Sequence, residues 1–223
     1  MATDDARILE RCDPELEKHV ALIAAEFREG FQTVESIGVP GVTVFGSART
    51  KEHEPTYAAA REFGRLAVAA GFAVVTGGGP GVMEAANRGA QEGGGISVGL
   101  NIELPHEQGL NAYCDIGYTF RHFYARETML VKAAEAFVLF PGGYGTLDEL
   151  FESLVLIQTE KILEFPVCLI GTVHWRPLLD WMGELRVRRL VSADDLDVVT
   201  VTDDPAEALA VISAHYARKQ LAA

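Results

Sequence analysis

The strongest chemical signal in the sequence is the run Pro141-Gly142-Gly143-Tyr144-Gly145-Thr146-Leu147-Asp148-Glu149. Glycines let a backbone approach a ligand closely. Successive N–H groups in such a turn form a concavity suited to an anion. A helix beginning there adds about half a positive charge, and Thr146 adds a hydroxyl donor. Gly142, Gly143, Tyr144, Gly145 and Thr146 are therefore candidate phosphate contacts. No Gly-Lys-Ser/Thr follows, so the run is not a Walker A loop. Two further glycine turns, Gly46-Ser47 and Gly77-Gly78-Gly79, make Gly46, Ser47, Gly77 and Gly78 candidate ligand contacts. Gly46-Ser47-Ala48-Arg49 does not match the dinucleotide fingerprint. A structural reading also exists: Thr146 as N-cap with Glu149 three residues on is a capping box. Glu149→Gln separates the two, since glutamine keeps the cap and no longer offers a carboxylate.

These turns need a frame. Residues 1–36 have helical spacing at Leu16, Val20, Ile23, Ala24 and Phe27, ended by Pro40-Gly41. From 37 to 223 apolar runs alternate with helical patterns. The strands fall at Val42–Phe45, Phe72–Val75, Ile96–Leu100, Gly117–Phe120, Ala136–Phe140, Pro166–Ile170 and Val198–Val201. Helices are expected over Thr56–Ala70, Pro80–Gln91, Arg121–Ala134, Leu147–Thr159, Trp175–Arg189 and Pro205–Leu221. Short continuous apolar strands alternating with helices predict an α/β fold: a Rossmann-like, doubly wound, mainly parallel sheet of about seven strands, helices on both faces. Ligands in such folds bind beyond the carboxyl ends of the strands, where all three glycine turns lie. Asn101–Cys114 is irregular; Asn101 and Glu103 follow a strand end and could reach a ligand, and the stretch after them is a candidate lid.

Composition narrows the classes. With 223 residues, 48% hydrophobic, the chain can build one substantial core. Its net charge of −13 argues against nucleic acid as partner. No apolar run is long enough to cross a membrane, and the charged N-terminus lacks the pattern of a secretory signal. Cys12, Cys114 and Cys168 are scattered, which fits a reducing cytoplasm better than a disulfide framework or zinc site. No spacing calls for a metal, and no cofactor is expected.

Pro141–Glu149 resembles the PGGxGTxxE motif of the LONELY GUY family of cytokinin-activating phosphoribohydrolases, many of which carry the label "lysine decarboxylase-like". Gly77–Met83 resembles that family's GGGxxGxM segment, Val44–Ser47 its first strand and turn, and the likeness covers about 42–202. The resemblance implies cleavage of a nucleoside 5′-monophosphate to base and ribose 5-phosphate. It implies homodimers or hexamers with active sites near subunit contacts. It also puts Arg126 at the catalytic arginine position, followed here by Glu127 where relatives carry Lys. Glu149, one turn beyond the loop, is then expected to stabilise an oxocarbenium-like sugar and handle the water. The decarboxylase label finds no support, because nothing near the few lysines suggests a Schiff base. His122 shares a helical face with Arg126 and could line the pocket, though a solvent-exposed position is the expectation, and Lys132 is expected to be an interface or surface charge. Met83 is expected in the core, and Glu84 is expected to cap or pair within its helix. The non-catalytic alternative is a carrier or sensor of a phosphorylated ligand, like the molybdenum-cofactor carriers.

Overall fold

The computed structural model describes residues 13–104, 109–162, 165–192 and 194–222. Helix α1 (Leu16–Glu35) precedes β1 (Gly41–Phe45), α2 (Pro55–Ala69), β2 (Ala73–Thr76), α3 (Val82–Glu92) and β3 (Ser97–Ile102). Then come β4 (Ile116–Phe120), α4 (Phe123–Lys132), β5 (Ala134–Leu139), α5 (Tyr144–Gln158) and β6 (Val167–Ile170). Helix α6 (Thr172–Val187), a short 3-10 turn (Asp194–Leu196), β7 (Val199–Thr202) and α7 (Pro205–Ala222) complete the described chain.

All strand pairs are parallel, in the order β4-β3-β2-β1-β5-β6-β7. The chain walks outward from β1 to β4. It then returns through α4 to place β5 on the other side of β1. The β1–β5 seam is thus where the winding reverses, and a crevice opens above such a seam.

Side chains alternate across the sheet, as a pleated strand demands. Val42 and Val44 of β1, with Ala136 and Val138 of β5, pack under Phe63 of α2, Ala86 of α3 and Ile212 of α7. Phe45, Phe137 and Leu139 face the opposite layer, with Met129 of α4, Leu150 of α5 and Trp175 of α6. Phe27 and Val34 of α1 join that second layer. Thr43, buried in β1, donates its hydroxyl to the Leu130 carbonyl at 3.0 Å, so the polar group is satisfied.

Strand positions agree with the sequence reading to within a few residues. Helix starts differ more. Helix α3 begins at Val82, with Gly81 at the N-cap, rather than at Pro80. Helix α4 begins at Phe123 rather than Arg121, and α6 at Thr172 rather than Trp175. Helix α5 begins at Tyr144 rather than Leu147. Thr146 is therefore the third residue of α5, and the expected capping box is not formed. Gly143 is the N-cap, and no side chain caps the helix. The backbone turns helical three residues earlier than the apolar pattern indicates.

Candidate active site

The turn after β1 is tied to both of the other glycine turns. Ser47 N–H donates to the Pro141 carbonyl, and the Ser47 carbonyl accepts from Val82 N–H, each at 3.1 Å. Gly81 has φ +72°, and a Cβ there would strike the Ser47 carbonyl, so only glycine allows this approach. Beside it, Gly142 is pressed against Thr146, whose side chain fills the space a Cβ would need.

Above the β1–β5 seam the turns after β1 and β5 line a cleft of about 590 Å³. Its walls include Gly46, Ser47, Arg49, Arg126, Gly143, Tyr144, Gly145, Thr146 and Glu149. Thr146 and Leu147 amides both donate to the Gly143 carbonyl at 3.0 Å. That leaves the Tyr144 and Gly145 amides as the donors at the helix end, the groups an anion would accept from. Gly142 and Gly77 stand behind this lining: Gly142 under Thr146, and Gly77 against the Arg126 guanidinium. Gly78, at φ +67°, packs on Gly99 and Leu110 instead.

Arg126 and Glu149 face each other across the cleft. Arg126 Nη1 lies 4.0 Å from Glu149 Oε1, and Arg126 Nε donates to the Leu100 carbonyl at 3.0 Å. Both side chains are largely shielded, at 13% and 5% exposure. Burial pushes the Glu149 carboxyl up to about 8; Arg126 pulls the other way, and Glu152, Glu127 and Asp148 add to the rise. Desolvation outweighs the arginine because the pair is too far apart for a direct hydrogen bond. Glu149 Oε2 is buried with no hydrogen-bond partner among the described residues. An unsatisfied, proton-holding carboxyl at a cleft wall is a mark of functional sites. Glu127, the acidic neighbour of Arg126, adds to the negative charge that raises Glu149.

Several expectations need correction. His122 is not a surface residue: it is fully buried, with Nδ1 2.7 Å from Glu26 Oε2 of α1. Met83 lines the cleft. Asn101 is buried and accepts from Ile102 N–H, while Glu103 is exposed outside the cleft lining. Glu84 pairs outside its own helix, accepting from the Tyr57 hydroxyl at 2.9 Å. Lys132 is exposed as expected and sits over the Phe31 ring. Of the candidate lid, 105–108 lie outside the described residues. Arg49, at the cleft rim, was not singled out from sequence; a cation three residues after Gly46 in a glycine turn was the available signal. Among the described residues no cluster of His, Cys, Asp or Glu could hold a metal. None of the described helices is long and apolar enough to cross a membrane.

Fold and cleft together define a parallel α/β protein in which the first turn of α5 borders a cleft walled by an Arg–Glu pair. The family described as "Possible lysine decarboxylase" matches residues 83–212. The chain belongs to this family, the one in which the LONELY GUY proteins fall. It is 30% identical over 152 residues to the cytokinin riboside 5′-monophosphate phosphoribohydrolase of Mycobacterium marinum, covering 66% of this chain and 79% of that one. It is 24% identical over 222 residues to a probable enzyme of the same name from Oryza sativa subsp. japonica, covering 98% and 83%. Among solved structures, the molybdenum cofactor carrier protein of Chlamydomonas reinhardtii superposes with TM-score 0.59 at 26% identity, over 80% of this chain and 99% of that one.

Proposed function

We propose that the protein hydrolyses the N-glycosidic bond of a nucleoside 5′-monophosphate, AMP or a cytokinin riboside monophosphate, to the free base and ribose 5-phosphate. The observation that carries this reading is the Arg126–Glu149 pair beside the first turn of α5. The 5′-phosphate sits against the Tyr144 and Gly145 amides with Thr146, and Ser47 and Gly46 close the adjoining wall. Gly142, Gly143, Gly77 and Gly78 shape the turns that allow this approach. Arg126 holds the phosphate or ribose. The C1′–N bond breaks, the electron pair leaves with the base, and water adds to C1′. Glu149 in its ionised form takes the proton of that water and stabilises the cationic sugar. A group titrating near 8 can both accept and return a proton near neutral pH.

Relatives bearing the phosphoribohydrolase name support this chemistry. The family's decarboxylase description would require a lysine for pyridoxal phosphate, and no lysine is among the described residues lining the cleft. The protein acts in the cytoplasm as a homodimer or hexamer, with Tyr144, 94% exposed at the cleft mouth, near a subunit contact. The likeness to cofactor carriers supports a second reading, retention of a phosphorylated ligand without turnover. Liquid chromatography for free adenine decides. Wild-type protein incubated with AMP is expected to release adenine, and Glu149→Gln to lose at least 100-fold of that rate, on the order of a general-base contribution. Release of no adenine, with AMP still bound, would support the carrier. Equal rates in the two proteins would remove Glu149 from the chemistry.

A further inference from the structure

We propose that Glu26, on the helix that precedes the sheet, is a positioning residue that aims Arg126 into the cleft; this rests on the reading above that Arg126 acts on the nucleotide. Helix α4 carries Arg126 and is ten residues long, with no side-chain cap among its own residues. A helix that short has little stability alone, so its start and direction are set by what it packs against. What holds its start is the Glu26 carboxylate. Oε1 accepts from Arg121 N–H at 2.8 Å. Oε2 accepts from His122 N–H at 3.3 Å and from the His122 ring, with Nδ1 at 2.7 Å.

All three donors come from the two residues just before α4. Glu26 is 6% exposed and His122 fully buried, so the carboxylate is committed to this one turn. A buried carboxylate is costly unless hydrogen-bonded, which makes the docking position of α1 specific. His122 Nε2 is buried without a hydrogen-bond partner among the described residues, so the ring's hydrogen bond there is the one from Nδ1 to Glu26. Arg126 N–H donates to the His122 carbonyl at 3.3 Å, which places Arg126 one turn from the clamped residue. Further along, α1 also holds the far end of α4. Gly30 lets it close on Met129, and Lys132 lies over the Phe31 ring at 5.2 Å. The α1 helix therefore fixes α4 at both ends, and loss of the Glu26 clamp frees the end nearest Arg126.

Ribose 5-phosphate binding by calorimetry tests this in the full chain, with AMP turnover measured alongside. Four proteins are compared: wild type, Glu26→Ala, Arg126→Ala and the double variant, with Glu26→Gln read in the same way should the alanine variant not fold. In the wild-type background Glu26→Ala is expected to weaken binding and lower turnover by about tenfold, as small misplacements of a positioned group do. In the Arg126→Ala background it should change binding less than twofold. Glu26→Gln, which keeps one acceptor oxygen, should fall between. An equal loss in both backgrounds, or none in either, overturns the positioning role while leaving the hydrolase reading intact. Wild-type binding and turnover by Arg126→Ala would instead bring down that reading.

Discussion

At the scale of single residues the decisive group is Glu149. It is buried beside an arginine it does not reach, and its proton is retained up to about pH 8. The folded-state value lies above the ordinary 4.5, so the native state binds the extra proton between these values and stability falls as pH rises through that window. Glu149→Gln removes the penalty. Its melting temperature should match wild type near pH 5 and exceed it above pH 8, where the stability difference is on the order of a few kcal/mol. Identical pH profiles of melting for the two proteins would contradict the burial cost. The same titration sets activity: if Glu149 acts as base, kcat/KM for AMP should climb with pH through about 8 and level off above it. A profile falling over that range would make it an acid instead. Arg126→Ala should lower kcat/KM at least 100-fold without changing the fold seen by circular dichroism; unchanged kinetics would reject its role. Residue types in the α5 turn were legible because glycine spacing and a following helix have few other uses. The burial of Glu149 was not, because it depends on α4 crossing from another part of the chain.

At the scale of elements, the cleft depends on three turns being held in register. The turn after β2 is fixed by a buried polar network. Thr76 donates to Asn87 Oδ1 at 2.6 Å, and Asn87 Nδ2 donates to Ser97 at 2.8 Å. Asn111 Nδ2 donates to both Asn87 Oδ1 and the Gly79 carbonyl at 3.0 Å. Asn87→Ala would strand several of these groups and should destabilise the protein by about 2–3 kcal/mol in urea unfolding, with nucleotide affinity also reduced. A shift under 0.5 kcal/mol, the level of an ordinary surface change, would mean the network contributes nothing. Apolar periodicity showed the strands and the order of helices well. It missed helix starts at Tyr144 and Thr172, since glycine and threonine carry no hydrophobic signal. His122 looked like a surface residue because its partner, Glu26, is 96 positions away, and such pairs leave no local pattern.

At the scale of the molecule, a net charge of −13 surrounds a site proposed to take a phosphate. Attraction must then be local, from helix amides and arginine, while the bulk charge repels. Raising salt screens the long-range part, with a Debye length of about 8 Å at physiological ionic strength. The KM for AMP should therefore stay level or fall between 50 and 200 mM salt; the steep rise typical of basic grooves would point to another mode of binding. Sheet topology follows from alternating strands and helices, yet the strand order that puts β1 beside β5 could be read only from the fold.

Capture of a phosphate by the first turn of α5 is tested most directly by a substrate pair. AMP and adenosine are supplied at equal concentration, and base release is followed by liquid chromatography. Release of adenine from AMP, with adenosine cleaved at least 100-fold more slowly, is the expected result for a phosphate whose binding positions the sugar. Adenosine cleaved as fast as AMP would contradict it.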